Sequence, residues 1–321
     1  MITVIKNKIM LFKQTSVLIL PLLLLTAGLQ GELSARASDS TVVESVFFRS
    51  IRANQADSYI TFGQGFGNMD PLIFEAMIAP YFLLRTSRDA RLGATISSPI
   101  VLRMQAKESF PVRTPSYMPG VTFYFQVSDD HPGNQMSSYL FLNIQHHSNG
   151  QFEPFFLEDG SNNTESGDFS TNFLELGLFV NRNVLPFDNT IDYFRTSLEW
   201  HPDIGRSEEL KGRYSFFRWN NSFRIFRFPG QDAIWKKQVN ADVPRVQTRV
   251  ETTWLFGKMR DASFFDLAER FTLSITLAYR PRVLTDVSLF VNFYTGEDYY
   301  NMHFDRRINT LRFGLQAFAV K

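Results

Sequence analysis

Tyr139-Leu-Phe-Leu-Asn-Ile-Gln-His-His-Ser-Asn-Gly150 is the stretch on which the fold turns. With a period of two, its even positions are Leu140, Leu142, Ile144, His146 and Ser148, and its odd positions are Tyr139, Phe141, Asn143, Gln145 and His147. Successive side chains of a β-strand point to opposite faces. A strand here therefore puts His146 and Ser148 on the aliphatic face, away from the amides of Asn143 and Gln145. A base and a hydroxyl at the end of an oily stripe fit poorly in a water-soluble sheet. They make sense if the stripe faces lipid.

Working outward, the same alternation recurs between turn-rich joins. Phe271, Leu273, Ile275, Leu277 and Tyr279 alternate with Thr272, Ser274, Thr276 and Ala278. Val246, Val250, Trp254 and Phe256 share a face opposite Gln247, Arg249 and Glu251, and Leu311, Phe313 and Leu315 oppose Arg312, Gly314 and Gln316. Charge on one face and an apolar row on the other is the pattern of a wall between lipid and a polar lumen. Twelve segments qualify: Tyr59–Phe66, Glu75–Leu84, Arg91–Met104, Val121–Val127, Ser138–Ser148, Thr171–Asn181, Ile191–His201, Tyr214–Phe226, Val246–Phe256, Phe271–Tyr279, Val283–Tyr294 and Thr310–Val320. Single-chain bacterial barrels have even strand numbers. The expected fold is all-β, a transmembrane antiparallel up-and-down barrel of about twelve strands.

A soluble sandwich or a lipocalin-like barrel also alternates, with its apolar face inward. The N-terminus and composition decide between them. Lys6, Lys8 and Lys13 precede Val17-Leu-Ile-Leu-Pro-Leu-Leu-Leu-Leu25, an apolar run too short to span a bilayer and interrupted by Pro21. Residues 1–37 read as a signal peptide with cleavage after Ala37 or earlier, 38–57 as an N-terminal segment without assigned structure, and 58–321 as the barrel. Phe is abundant (33 residues), as the aromatic girdles of a barrel require. Lys+Arg 33 balances Asp+Glu 32, which argues against a nucleic-acid partner. The absence of cysteine excludes a disulfide framework, a Cys nucleophile and Cys metal ligands. Short joins such as Arg280-Pro-Arg282 would be periplasmic turns, and Asn149–Ser170 and Gly296–Asn309 extracellular loops. His146 and Ser148 then lie near the outer-leaflet headgroups.

Serine-based ester hydrolysis needs a base and a third group that holds the base in the right tautomer. His146 and Ser148 meet the first requirement. The third group should sit on the same face of the next strand, and Thr171-Asn-Phe-Leu-Glu-Leu-Gly-Leu178 places Asn172 at the loop end of the stripe Leu174, Leu176, Leu178. An antiparallel hairpin puts Asn172 beside His146. His147 points to the lumen and reads as structural. Gly63-Gln-Gly-Phe-Gly67 lacks the following helix of a phosphate loop, so strand-end glycines are the ordinary explanation. The acids of 151–170 are as readily solvated as metal-binding.

Gln145-His-His-Ser-Asn-Gly150 and Ser170-Thr-Asn172 resemble the His-x-Ser-Asn-Gly and Ser-x-Asn segments of the outer-membrane phospholipase A family. Ser109-Phe-Pro-Val-Arg113 with Tyr117-Met-Pro119, and Tyr294-Thr-Gly-Glu297 with Tyr300-Asn301, are similar to two further passages of that family, in the same order. The resemblance implies a Gram-negative outer-membrane enzyme, a calcium-dependent phospholipase A with His146, Ser148 and Asn172 as an exterior triad. It also implies Ca2+ held by residues at Gln151 and Asp168 with a ligand at Ser109 or Phe110 of a second copy, and activity as a homodimer on membrane phospholipids. The family's serine and asparagine stand closer together; here they are 24 residues apart. Asp168 also stands where the family has a serine. A non-enzymatic porin or transporter with an idle site is the alternative.

Overall fold

The computed structural model describes residues 46–87, 90–109, 111–128, 137–181, 192–225, 245–281, 283–284 and 286–317. They all belong to one unit running from Glu44 to Lys321. The expected signal peptide, the segment 38–45 and Phe110 lie outside the described residues.

Twelve antiparallel strands close into a barrel, four of them interrupted. They are β1 (Tyr59–Thr61 and Phe66–Gly67), β2 (Leu72–Ile78 and Tyr81–Leu84), β3 (Leu92–Ser97 and Ile100–Gln105) and β4 (Ser116–Tyr117 and Gly120–Gln126). β5 (Ser137–Ser148), β6 (Ser170–Asn181), β7 (Asp192–Trp200) and β8 (Phe217–Ile225) follow, then β9 (Val246–Phe256), β10 (Phe271–Tyr279), β11 (Val287–Glu297) and β12 (Arg307–Ala317). Each strand pairs with its sequence neighbours, and β12 returns to β1 through Tyr59↔Gln316, which leaves no free sheet edge.

The interruptions of β2, β3 and β4 have a common cause. Pro80, Pro99 and Pro119 fall at one level across β2, β3 and β4, and proline has no N–H to give to a ladder. Their carbonyls still accept: Ser98 N donates to Pro80 O (3.3 Å), Met118 N to Pro99 O (2.9 Å) and His146 N to Pro119 O (2.9 Å). The row of prolines thus ends at the backbone of His146.

The apolar stripe is on the outside. Leu140, Leu142 and Ile144 are 45%, 38% and 43% exposed, whereas Tyr139 and Phe141 are 0% and 2% exposed. Leu176, Leu198, Trp219, Leu277, Leu289 and Val291 extend the exposed belt around the wall. The interior is charged and paired: Glu175 meets Arg195 and Ser197, Arg218 meets Glu199 and Glu297, and Asp57 meets Arg224 and Arg249. Near the middle, Arg103 and Arg312 converge on Glu75. This distribution separates the chain from a soluble barrel, whose apolar face is inward.

Both ends of the lumen are stoppered. At the end away from Ser148, the segment to which the sequence pattern assigns no structure forms a helix, α1 (Val46–Ala53), which inserts Phe47, Phe48 and Ile51 among Tyr124, Tyr139, Phe141, Phe179 and Tyr193. The Tyr139 hydroxyl donates to Ser50 O (3.1 Å), and Gln55 donates to Tyr124 (2.9 Å). At the other end, loops bring Phe155, Phe169, Leu210, Tyr214, Met302 and Phe304 into one cluster. Between them lies a cavity of about 490 Å³ lined by charged and polar side chains such as Glu175, Arg195 and Arg218 together with apolar ones such as Phe173, Phe179 and Phe290.

Several expected boundaries shift. Ser116–Tyr117 is an unexpected piece of β4, and β11 starts at Val287, not Val283, so the join after Tyr279 runs through residues 280–286. Val283 is exposed in that turn. β11 and β12 reach past the expected bounds of the last outer loop, which shortens to residues 298–306. The Gly63–Gly67 stretch lies against β12, where a Cβ on Gly65 would come within 2.1 Å of Leu311 O. Close backbone approach explains these glycines, and no helix follows them.

Candidate active site

The β5–β6 register pairs Asn172 with His146 and Ser170 with Ser148. All four positions belong to the outward parity set by Leu140, Leu142 and Ile144, and Tyr117 of β4, paired with Ser148, shares it. Asn172 Oδ1 lies 2.8 Å from His146 Nδ1. Asn172 Nδ2 donates to Ile204 O at 2.7 Å and to Gly205 O at 3.4 Å. Carbonyls only accept, so the amide nitrogen must face Ile204 and the amide oxygen must face the imidazole. His146 Nδ1 is then the protonated nitrogen, and Nε2 keeps its lone pair. Ser148 is half-buried two residues along the same face. Its hydroxyl makes no hydrogen bond among the described residues, as is common before substrate tightens a site.

Past Ser148 the chain turns sharply. Asn149 is buried and holds the turn: its Nδ2 donates to Gly167 O (2.8 Å), and its Oδ1 accepts from Phe169 N (3.1 Å) and Gln151 N (3.3 Å). The Gly150 N–H meets no acceptor among the described residues, and Gly150, next to Ser148, is exposed.

The inner face of the wall, from β5 to the end of β7, carries a different set. His147 is buried with Nε2 unpartnered and its ring edge-on to Phe169 at 4.9 Å. Thr171 Oγ1 lies 2.9 Å from His201 Nδ1, and His201 Nε2 lies 2.6 Å from Glu199. Nothing in the sequence pattern singles out His201 or Thr171, both almost fully buried.

Of the oxygen-bearing positions expected to bind metal, Gln151 and Asp168 lie in the loop after Ser148, and Ser109 is exposed in the β3–β4 loop. Arg113 and Lys107 reach from that loop to Glu165, tying the two loops together. Among the described residues, no three His, Asp or Glu side chains converge as a ready metal cluster. Asp168 has no cationic partner among them; partial burial, and then the nearby charge of Glu209, push its carboxyl upward. Two neighbouring acids with no counter-charge among the described residues are hard oxygen donors of the kind a cation such as Ca2+ takes. Glu209 lies 61 residues beyond Ser148, and no spacing in the sequence singles it out.

A closed twelve-strand antiparallel barrel with an apolar exterior and a charged lumen defines the chain as an outer-membrane-type β-barrel. Among solved structures it is similar to outer membrane phospholipase A from Escherichia coli, with a TM-score of 0.55 and 11% sequence identity over 90% of this chain and 96% of that one. It is similar also to the Salmonella typhi outer membrane phospholipase dimer with bound calcium, with a TM-score of 0.56 and 12% identity over 88% of this chain and 100% of that one. No family model and no curated protein sequence matches the chain. At this identity the likeness establishes the barrel fold.

Proposed function

We propose that this chain is a phospholipase A of the Gram-negative outer membrane, hydrolysing acyl esters of phospholipids through Ser148, His146 and Asn172. The observation that carries the reading is the 2.8 Å contact between Asn172 Oδ1 and His146 Nδ1 on the lipid-facing wall, with Ser148 two residues along the same face. The stoppered lumen supports it over a conducting barrel.

In the proposed cycle, Ser148 Oγ attacks the ester carbonyl as its proton passes to His146 Nε2. Asn172 accepts from Nδ1–H throughout and holds the ring. The tetrahedral intermediate collapses, the C–O bond to the glycerol backbone breaks, and the leaving alkoxide takes the proton from His146. Water then attacks the acyl-serine with His146 again as base, releasing fatty acid. The free Gly150 N–H is the candidate donor to the oxyanion. Gln151 and Asp168 would hold Ca2+ together with Ser109 of a second copy, and bound calcium supplies positive charge near the oxyanion. Among the described residues, neither of the two cavities inside the barrel is lined by Ser148. A second copy docked against the exposed leucine belt would therefore enclose the acyl chain.

Purified protein in mixed phospholipid micelles with calcium should release fatty acid, and Ser148→Ala should lower the rate by about 10³-fold or more. Release from Ser148→Ala equal to the parent's would end this mechanism.

A further inference from the structure

An asparagine in the third position of a triad has a defect that an aspartate lacks. The two carboxylate oxygens of Asp are equivalent, but an amide presents an acceptor on one side and a donor on the other. Flipped by a half turn, Asn172 would donate to His146 Nδ1 and drive the ring proton to Nε2. A ring protonated there cannot accept the serine proton. Something must therefore fix which way the amide faces.

We infer that the loop of residues 201–207 is a positioning clamp for the Asn172 amide, and that Gly205 is the residue that makes room for it. This rests on the hydrolytic reading of the site. The carbonyls of Ile204 and Gly205 take both available directions around Asn172 Nδ2. The loop is itself anchored to the start of β6: Ser170 Oγ donates to Gly205 O (3.1 Å), Ser207 N to Ser170 O (2.9 Å) and Ser170 N to Ser207 Oγ (3.0 Å). Asp203 and Arg206 pair within it, and His201 N donates to Phe216 O (2.7 Å) at its base. Gly205 has φ +62°, and a Cβ there would stand 2.8 Å from Asn172 Nδ2. The atom it meets is the tip of a side chain, so the amide would move while the barrel stays folded.

Gly205→Ala therefore tests the clamp, and Gly212→Ala is its matched control. Gly212 lies in the same interstrand connection with φ +74° and has no atom within 4 Å of a built Cβ, so it carries the same backbone cost without the contact. With folding followed by circular dichroism, Gly205→Ala should lower kcat about tenfold or more while KM changes little. Gly212→Ala should match the parent. In an Asn172→Ala background, Gly205→Ala should cost nothing further, because the clamp acts only through that amide. Nitrogen-15 spectra of the imidazoles should show His146 protonated at Nδ1 in the parent and a tautomer mixture in Gly205→Ala. If Gly205→Ala and Gly212→Ala behave alike in both measurements, the clamp is wrong. It is equally wrong if the loss persists at full size in the Asn172→Ala background. If the parent releases no fatty acid, the hydrolytic reading has failed separately, and the ring spectra alone decide: an unchanged His146 tautomer overturns the clamp.

Discussion

The two faces of the wall formed by β5, β6 and β7 carry nearly the same chemistry to opposite ends. Outside, a hydroxyl, an imidazole and an amide stand at Ser148, His146 and Asn172. Inside, one residue out of phase, Thr171, His201 and Glu199 form a continuous hydroxyl–imidazole–carboxylate chain with contacts of 2.9 Å and 2.6 Å. By connectivity the inner set is the better triad. It is sealed, however, with Thr171 fully buried beneath the loop cluster of Phe169, Tyr214 and Phe304. The outer set has a looser serine but faces the phase in which a lipid ester dissolves. In the proposed reading, access, more than hydrogen-bond order, separates the nucleophile from a structural hydroxyl.

The largest expected effect uses the adjacent histidines. His146→Ala should lower fatty-acid release by about 10²- to 10⁴-fold, the range for loss of a positioned general base. His147→Ala, one residue away on the other face, should keep activity within about threefold, because its ring touches Phe169 and no outward group. Equal losses from the two variants would mean that the parity of β5 is misassigned.

A middle-sized effect separates structure from chemistry on the inner face. A carboxylate only accepts, so His201 Nε2 carries its proton toward Glu199 and Nδ1 accepts from the Thr171 hydroxyl. Thr171→Val keeps the shape and strands that buried nitrogen. We expect a stability loss of about 1–3 kcal/mol in denaturant titrations with activity changed only slightly. A collapse of activity at unchanged stability would assign the chemistry to the inner set instead.

The contrast between faces was legible in the sequence because strand parity is a strict rule: once Leu140, Leu142 and Ile144 face lipid, His146, Ser148 and, across the hairpin, Asn172 must follow. The lumen arginines were legible as charges opposite an apolar row, though not their partners, since Asp57 with Arg249 and Glu75 with Arg312 are far apart in the chain. α1 was not legible: eight residues form too short a pattern, and what holds the helix is an aromatic pocket built from four distant strands. The level row of prolines was visible one residue at a time, but its alignment exists only after register is set. The Asn172 clamp escaped for a related reason. Its donors and acceptors are mostly backbone, and backbone carries no sequence signature.

The smallest effect lies where the loops close the outer mouth, a region that should respond to pH while the wall does not. His303 is largely buried there, and desolvation pushes its ring down to about 4 from its ordinary value near 6.5, with Arg306 and Arg103 helping and Asp298 opposing. The folded pKa lies below the unfolded one, so the neutral ring's contribution is fully present above about pH 6.5 and is lost as pH falls toward 4. The Asp298 carboxyl is held below its ordinary value by Arg103 and Arg306 against the cost of burial, so its contribution is likewise present above the ordinary carboxylate range and lost only at lower pH. Both run in one direction, and the His303 shift alone corresponds to about 3 kcal/mol. Amide hydrogen exchange in residues 298–306, corrected for intrinsic rate, should therefore be less protected at pH 4.5 than at pH 7, while β5 and β6 keep their protection. His303→Gln should flatten that dependence between pH 6.5 and 4.5. If the parent's loop is equally protected at both pH values, the mouth is not linked to this histidine, and the stopper at the outer end is as rigid as the wall beneath it.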